Sequence, residues 1–182
     1  ILATWEAGFR SFTTTMELPS PEAAKGRKMR VFPNDMIRWI MESIGFTPVV
    51  MPVTEVYLAI QQGTVIGQEN PVDTIYSQRF YEVAPHLTLT QHVYSPLPFA
   101  ISEIAWARLG EADREAVTRA AREAATFSRD DVRRQEQGQL DEMASRGAKV
   151  ARPDIGPFRA AVEPVYAKAR EVYGAEVDKV LA

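Results

Sequence analysis

The chain has 182 residues, of which 46 % are apolar and 25 % charged, a composition typical of a globular protein with one large domain or two small lobes. Its 21 basic and 24 acidic side chains give a net charge of −3, so no basic surface for nucleic acid is expected. Cysteine is absent, which excludes disulfides, thiolate metal sites and a cysteine nucleophile.

The first part of the chain alternates short strands with short helices. Three runs rich in apolar residues are predicted to be strands: Lys28–Phe32, Thr47–Met51 and Val65–Ile66. Three helices that begin at capping residues and end at glycine are predicted: Ser20–Gly26 before the first of these strands, and Asn34 (or Asp35)–Gly45 and Thr54–Gly63 between the strands. The run Val49–Met51 indicates burial on both faces, and Gly67–Pro71 is predicted to be a sharp polar turn. This order predicts an α/β lobe with a mainly parallel sheet, in which ligands bind at the carboxyl ends of the strands.

The rest of the chain is dominated by one long helical segment. From Glu111 to Arg146 no proline interrupts a helical composition, and the apolar stripe is narrow, which favours a helix on a surface or bridging two lobes. Strands are predicted before and after it: His86–Tyr94, Phe99–Ile104 and Lys149–Ala151. Pro157 begins a last pair of helices, which is broken at Gly174.

No catalytic motif is found in the sequence. His86 and His92 are six residues apart, which is neither zinc-site nor triad spacing, and both are interpreted as structural or surface residues. A nucleophile elbow, a phosphate-binding loop and a dinucleotide fingerprint are all absent from the sequence. We therefore expect no catalytic residues, no metal and no cofactor.

Three polar residues stand where they could bind a ligand. Arg30 lies inside an apolar strand and Arg10 follows the aromatic segment Trp5–Phe9. A guanidinium offers a planar pair of donors that matches a carboxylate, but an intramolecular salt bridge or an outward orientation would also account for either arginine. The Asn70 amide could contact a polar ligand group or, in the predicted turn, its own backbone.

Several motifs in order resemble the TRAP transporter solute-binding proteins of the dicarboxylate type. The matching segments, which extend over essentially the whole chain, are Trp5–Arg10, Gly26–Val31, Met51–Tyr57, Gly63–Pro71, Phe80–Val83 and His92–Tyr94, together with the long helix. The resemblance implies a periplasmic-binding-protein-like fold of type II, with two α/β lobes around a cleft. It also implies that this chain is the C-terminal portion, without the N-terminal half of the two-lobe fold. Residues 1–92 would form the ligand-binding second lobe, and residues 93–182, with the helix at about 111–146, would return to the first lobe.

The resemblance also assigns five residues to a ligand site. Arg30 matches the arginine that binds the ligand carboxylate, Arg10 a second arginine of the cleft, and Asn70 an asparagine that contacts ligand. Val53 occupies a position often filled by an aromatic residue that covers the ligand, so the covering face is smaller here. Pro33 lies where family members vary, and it offers no side-chain donor to the ligand.

The function implied by the resemblance is capture of an organic acid in the periplasm and its delivery to the TRAP membrane permease, with the signal segment outside this chain. The main alternative is a ligand-sensing domain of a signalling receptor for organic acids. An enzyme on a similar scaffold is a weaker one, because no nucleophile and base converge with Arg30. Two outcomes stay open for a portion of this kind: it binds no ligand by itself, or it dimerises through surfaces meant for the first lobe.

Overall fold

The computed structural model describes residues 1–181. It contains a six-stranded sheet whose strands are β1 (Ala3–Thr14), β2 (Lys28–Val31), β3 (Thr47–Val50), β4 (Gly67–Pro71), β5 (His86–Phe99) and β6 (Lys149–Ala151). The helices are α1 (Pro21–Ala24), α2 (Asp35–Ile44), α3 (Val53–Gln61), α4 (Val72–Ser77), α5 (Glu103–Ala107), α6 (Glu111–Ser145), α7 (Gly156–Tyr173) and α8 (Glu176–Leu181). A turn of 3-10 helix spans Phe80–Glu82. None of these helices combines the length and the apolar character needed to cross a membrane.

The strand order in the sheet is β3-β2-β4-β1-β5-β6. Three of the five pairings are parallel, and β1 runs antiparallel to both of its neighbours. The predicted α/β lobe with a mainly parallel sheet is therefore confirmed. One buried cluster joins α2 to Phe12 and Phe158, and a second joins α3 and α4 to Met143 of α6.

Local capping explains why α2 forms where the sequence predicts it. The Asn34 side chain accepts a hydrogen bond of 3.0 Å from the backbone N–H of Ile37, which satisfies a donor that the first helical turn leaves free. Gly45 ends the helix with a φ of 110°, a conformation that costs glycine little. The capped helix fixes the loop after β2, where Pro33 lies.

The prediction of a polar turn at Gly67–Pro71 is wrong. This segment is strand β4, and all five of its residues are buried. It lies between β2 and β1, and its polar side chains have partners inside the fold, as described below. A Cβ atom at Gly67 would lie 2.0 Å from the backbone oxygen of Thr13, so the close approach of β1 explains the glycine without any turn.

Two further strand predictions are wrong in part. β3 is an edge strand and not buried on both faces, since the side chain of Val50 is 54 % exposed. Residues 99–104 do not form a separate strand, because β5 continues to Phe99 and α5 begins at Glu103. β5 pairs with β1 over almost its whole length, so the prolines at 96 and 98 lie within a paired strand.

The long helix α6 has 35 residues and is about 52 Å long at 1.5 Å per residue. Arg133 of α6 forms a 3.0 Å ion pair with the buried Glu6 of β1, and Gln139 donates a 3.0 Å hydrogen bond to Asp73 of α4. These contacts hold the helix against β1 and α4, and its bridging to a second lobe stays a prediction. The predicted division at residue 92 falls within β5 and stays a prediction.

Candidate carboxylate-binding site

The proposed ligand residues lie at the carboxyl ends of the parallel strands. Arg10 of β1 is opposite Pro71, the last residue of β4. Pro33 follows β2, and Val53 is the first residue of α3, two residues beyond Met51. Because β2, β3 and β4 run parallel, their carboxyl ends meet at one edge of the sheet. Both Pro33 and Val53 are exposed there.

Arg10 already has a carboxylate partner inside the protein. Its Nε lies 2.5 Å from Oε2 of Glu69, and its Nη2 donates to Oε1 of the same carboxylate at 2.8 Å. The same Nη2 also donates to the backbone oxygen of Glu69 at 2.7 Å and to Oδ1 of Asn70 at 3.0 Å. The phenyl ring of Phe32 lies 4.9 Å from the guanidinium carbon. The two proposed ligand residues Arg10 and Asn70 are thus in direct contact.

Glu69 is buried completely, and its charge is maintained by its neighbours. Burial by itself would raise the pKa of this carboxyl, but the nearby His92 and Arg10 outweigh burial and the pKa falls below its ordinary value of 4.5. Nε2 of His92 is 3.5 Å from Oε2 of Glu69, and within residues 1–181 this nitrogen makes no hydrogen bond. The imidazole stacks on Phe12 at 4.4 Å between ring centres.

Arg30 differs from Arg10 because no carboxylate of the described residues pairs with it. Its Nε and Nη2 donate to one backbone oxygen, that of Met51, at 3.1 and 2.9 Å. The residue is only 3 % exposed. Burial lowers the pKa of Arg30, the charge of Glu69 opposes this effect, and the charge of Arg10 adds to it. Within residues 1–181, Arg30 is therefore a buried cation that donates to a neutral acceptor and forms no ion pair with a carboxylate.

The strand pairing places the polar side chains of β4 on two faces. Successive residues of a strand point to opposite faces, and paired residues of neighbouring strands share a face. Gln68 pairs with Arg30 of β2 and Thr13 of β1, whereas Glu69 pairs with Phe12. The carboxylate accordingly lies on the Arg10 side, and the Gln68 amide lies on the Arg30 side.

A chain of hydrogen bonds orients the Asn70 amide. Nδ2 of Asn70 donates to Oε1 of Gln68, and Nε2 of Gln68 donates to the hydroxyl of Thr13 at 2.8 Å. Since Oδ1 of Asn70 accepts from Arg10, the remaining N–H of Asn70 is the group that could donate to a ligand. Asn70 is bound by side chains, and not by its own backbone as a turn residue would be.

Sequence reasoning missed Glu69, His92 and Gln68 as parts of this network. Because Gly67–Pro71 is predicted to be a polar turn, Glu69 is expected to be exposed to solvent, where a carboxylate needs no partner. A strand assignment for Gly67–Pro71 would have placed one acidic residue inside a sheet, and a buried carboxylate requires a cation. His92, interpreted as structural or surface, is a half-buried neighbour of Glu69.

Comparison with known proteins decides the family. Residues 1–172 match the family described as bacterial extracellular solute-binding protein, family 7. The chain belongs to this family. Its members are periplasmic solute-binding proteins of TRAP transporters, which confirms the resemblance seen in the sequence motifs.

Relatives in the solute-binding family bind several organic acids. The sialic acid-binding periplasmic protein of Vibrio cholerae is 37 % identical over 166 residues, 91 % of this chain and 51 % of its own length. The C4-dicarboxylate-binding periplasmic protein of Rhodobacter capsulatus is 29 % identical over 179 residues, covering 96 % of this chain and 54 % of its own length. The chain thus spans about half the length of these curated relatives.

Solved structures of the family share the fold of this chain. A TRAP solute-binding protein from a Polaromonas species, bound to D-erythronate, gives a TM-score of 0.92 at 36 % identity, covering 97 % of this chain and 59 % of its own. A TRAP solute-binding protein from Chromohalobacter salexigens with bound D-glucuronate gives a TM-score of 0.93 at 28 % identity, covering 98 % of this chain and 60 % of its own. The agreement extends over nearly every element described above.

Proposed function

We propose that this chain carries the carboxylate-anchoring part of the extracytoplasmic solute-binding subunit of a TRAP-type transporter. The subunit captures an organic acid in the periplasm and delivers it to the membrane permease. Arg30 binds the ligand carboxylate, Arg10 and Asn70 line the same edge of the site, and Val53 and Pro33 border it.

The observation that carries the proposal is the buried charge of Arg30, which forms no ion pair in the described part of the chain. A buried cation without a counter-ion lowers the stability of the folded protein, and a carboxylate ligand would remove that cost. Arg30 lies next to the carboxyl ends of three parallel strands, where a ligand of an α/β sheet is expected. A guanidinium can hold both oxygens of a carboxylate, which gives orientation as well as binding energy.

The Arg10–Glu69 pair supports different roles for the two arginines. Glu69 takes the Nε and Nη2 donors of Arg10, so this arginine chiefly holds the edge of the site together. Its position also fixes Asn70, whose free N–H is a donor for a second acceptor of the ligand. A ligand with a carboxylate and a neighbouring hydroxyl or carbonyl oxygen fits this set of donors.

The site residues of this chain support an acid ligand in general and not one acid. The related structures hold acids of different sizes, among them D-erythronate and D-glucuronate. The small Val53 side chain at the entrance favours a ligand that is held by polar contacts more than by stacking on an aromatic ring. We propose a sugar acid or another hydroxy acid as the ligand class.

The test is calorimetric titration of the full-length protein with the acid that raises its melting temperature most in a screen of organic acids. Arg30→Ala is expected to abolish measurable binding, because breaking a buried charge pair costs about 2–5 kcal/mol. Arg38→Ala is the matched control, since Arg38 is an arginine on the surface of α2 that pairs with Asp35 and Glu42. An unchanged Kd in Arg30→Ala would contradict the proposal.

A further inference from the structure

We infer that Gln68 is a specificity-determining residue, because its neutral side chain leaves the charge of Arg30 available to an external carboxylate. The inference rests on the proposed function and deepens it. It explains why the site binds an anion: the Glu69 carboxylate pairs with Arg10, whereas the side chain beside Arg30 is a neutral amide.

The register of β4 produces this assignment. Gln68 and Arg30 are paired positions of neighbouring parallel strands, so their side chains leave the sheet side by side on one face. Glu69 leaves on the other face and takes the Nε and Nη2 donors of Arg10. Among Arg10, Arg30 and Glu69, two positive charges meet one negative charge, and one positive charge remains.

Gln68 itself is held in a fixed orientation. The residue is completely buried, its Nε2 donates to Thr13 and its Oε1 accepts from Asn70. Both ends of the amide are therefore engaged with neutral groups. Arg30 donates instead to the Met51 carbonyl, which is an acceptor without charge.

Replacement of Gln68 by glutamate changes the charge and almost nothing else. The two side chains have the same shape, and a carboxylate at position 68 could accept from Asn70 and from the hydroxyl of Thr13. The Thr13 hydroxyl would donate where it now accepts. The new negative charge would lie next to Arg30 and compete with the ligand for it.

The first measurement is calorimetric titration of the full-length protein with D-glucuronate and with D-erythronate. Gln68→Glu is expected to raise the Kd at least about 30-fold for whichever of these acids the unmodified protein binds. Gln62→Glu is the control, because Gln62 is exposed at the end of α3 and the substitution adds the same charge; its Kd should stay within about twofold. A Kd for Gln68→Glu close to that of Gln62→Glu would overturn the inference.

The second measurement needs no ligand and separates charge compensation from damage to the fold. Gln68→Glu is expected to melt no lower than the unmodified protein, since it supplies a counter-ion to Arg30. In an Arg30→Gln background the same substitution should lower the melting temperature, because the buried carboxylate then has no such partner. An equal decrease in both backgrounds, or a Gln68→Glu protein that does not fold, would overturn the inference.

The two proposals fail in different ways. If Arg30→Ala binds the acid as tightly as the unmodified protein, the proposed function is wrong. If Arg30→Ala abolishes binding and Gln68→Glu leaves it intact, the function stands and the role of Gln68 is wrong. The pairing of positions 30 and 68 is tested independently of any acid by four melting temperatures without ligand. These are the melting temperatures of the unmodified protein, Gln68→Glu, Arg30→Gln and the variant that carries both substitutions.

Discussion

Glu69→Gln is expected to destabilise the protein severely, although the substitution keeps the shape of the side chain. It removes the carboxylate that receives two donors of Arg10, while Arg10 stays buried with its side chain only 8 % exposed. Leaving one partner of a buried charge pair without the other costs about 3–5 kcal/mol. For a protein of 182 residues this corresponds to a decrease in melting temperature of about 6–20 °C.

Urea unfolding followed by circular dichroism measures this loss of free energy, and scanning calorimetry gives the melting temperature. Glu42→Gln is a matched control, because Glu42 pairs with Arg38 on the surface of α2, where each side chain is at least 40 % exposed. Glu42→Gln should lower the free energy of unfolding by less than about 0.5 kcal/mol. A Glu69→Gln protein whose unfolding free energy differs from that of Glu42→Gln by less than about 1 kcal/mol would refute the role given to the buried pair.

Three further predictions concern the same site. Arg30→Gln without ligand should melt at the same temperature as the unmodified protein or higher, because it removes a buried charge that forms no ion pair among the residues described; a decrease of several degrees by scanning calorimetry would contradict this. Val53→Ala should change the ratio of the Kd values for D-glucuronate and D-erythronate more than it changes the Kd of the acid that binds more tightly. An equal rise of both Kd values in calorimetric titration would contradict this. Because the pKa of Glu69 is lowered, its contribution to stability is complete above pH 4.5 and is lost as the pH falls through the lower folded value. The unfolding free energies of the unmodified protein and Glu69→Gln should therefore converge below pH 4.5, and a constant difference measured by urea unfolding would exclude this cause.

The elements with strong local signals could be predicted from the sequence. Asn34 and Gly45 define α2 because a cap and a left-handed glycine are determined by residues close in the chain. The long helix α6 follows in the same way from 35 residues without proline. The predicted place of Arg30 within a strand is also confirmed. The apolar residues Met29 and Val31 on either side indicate a strand, and both are buried in the structure.

The elements whose partners are distant in the chain could not be predicted. Gly67–Pro71 has the composition of a turn, and only pairing with β1, more than fifty residues earlier, makes it a buried strand. The difference between the two arginines has the same origin, because Glu69 is 59 residues from Arg10. Sequence motifs related both arginines to ligand binding, whereas the strand register distinguishes the one with an internal carboxylate from the one without.

A crystal structure of the full-length protein with its bound acid tests the central claim most directly. We predict that both oxygens of the ligand carboxylate lie about 2.7–2.9 Å from the guanidinium nitrogens of Arg30. Arg10 should keep its two contacts with Glu69 in that complex. A carboxylate bound elsewhere, with Arg30 still donating only to the Met51 carbonyl, would contradict the claim.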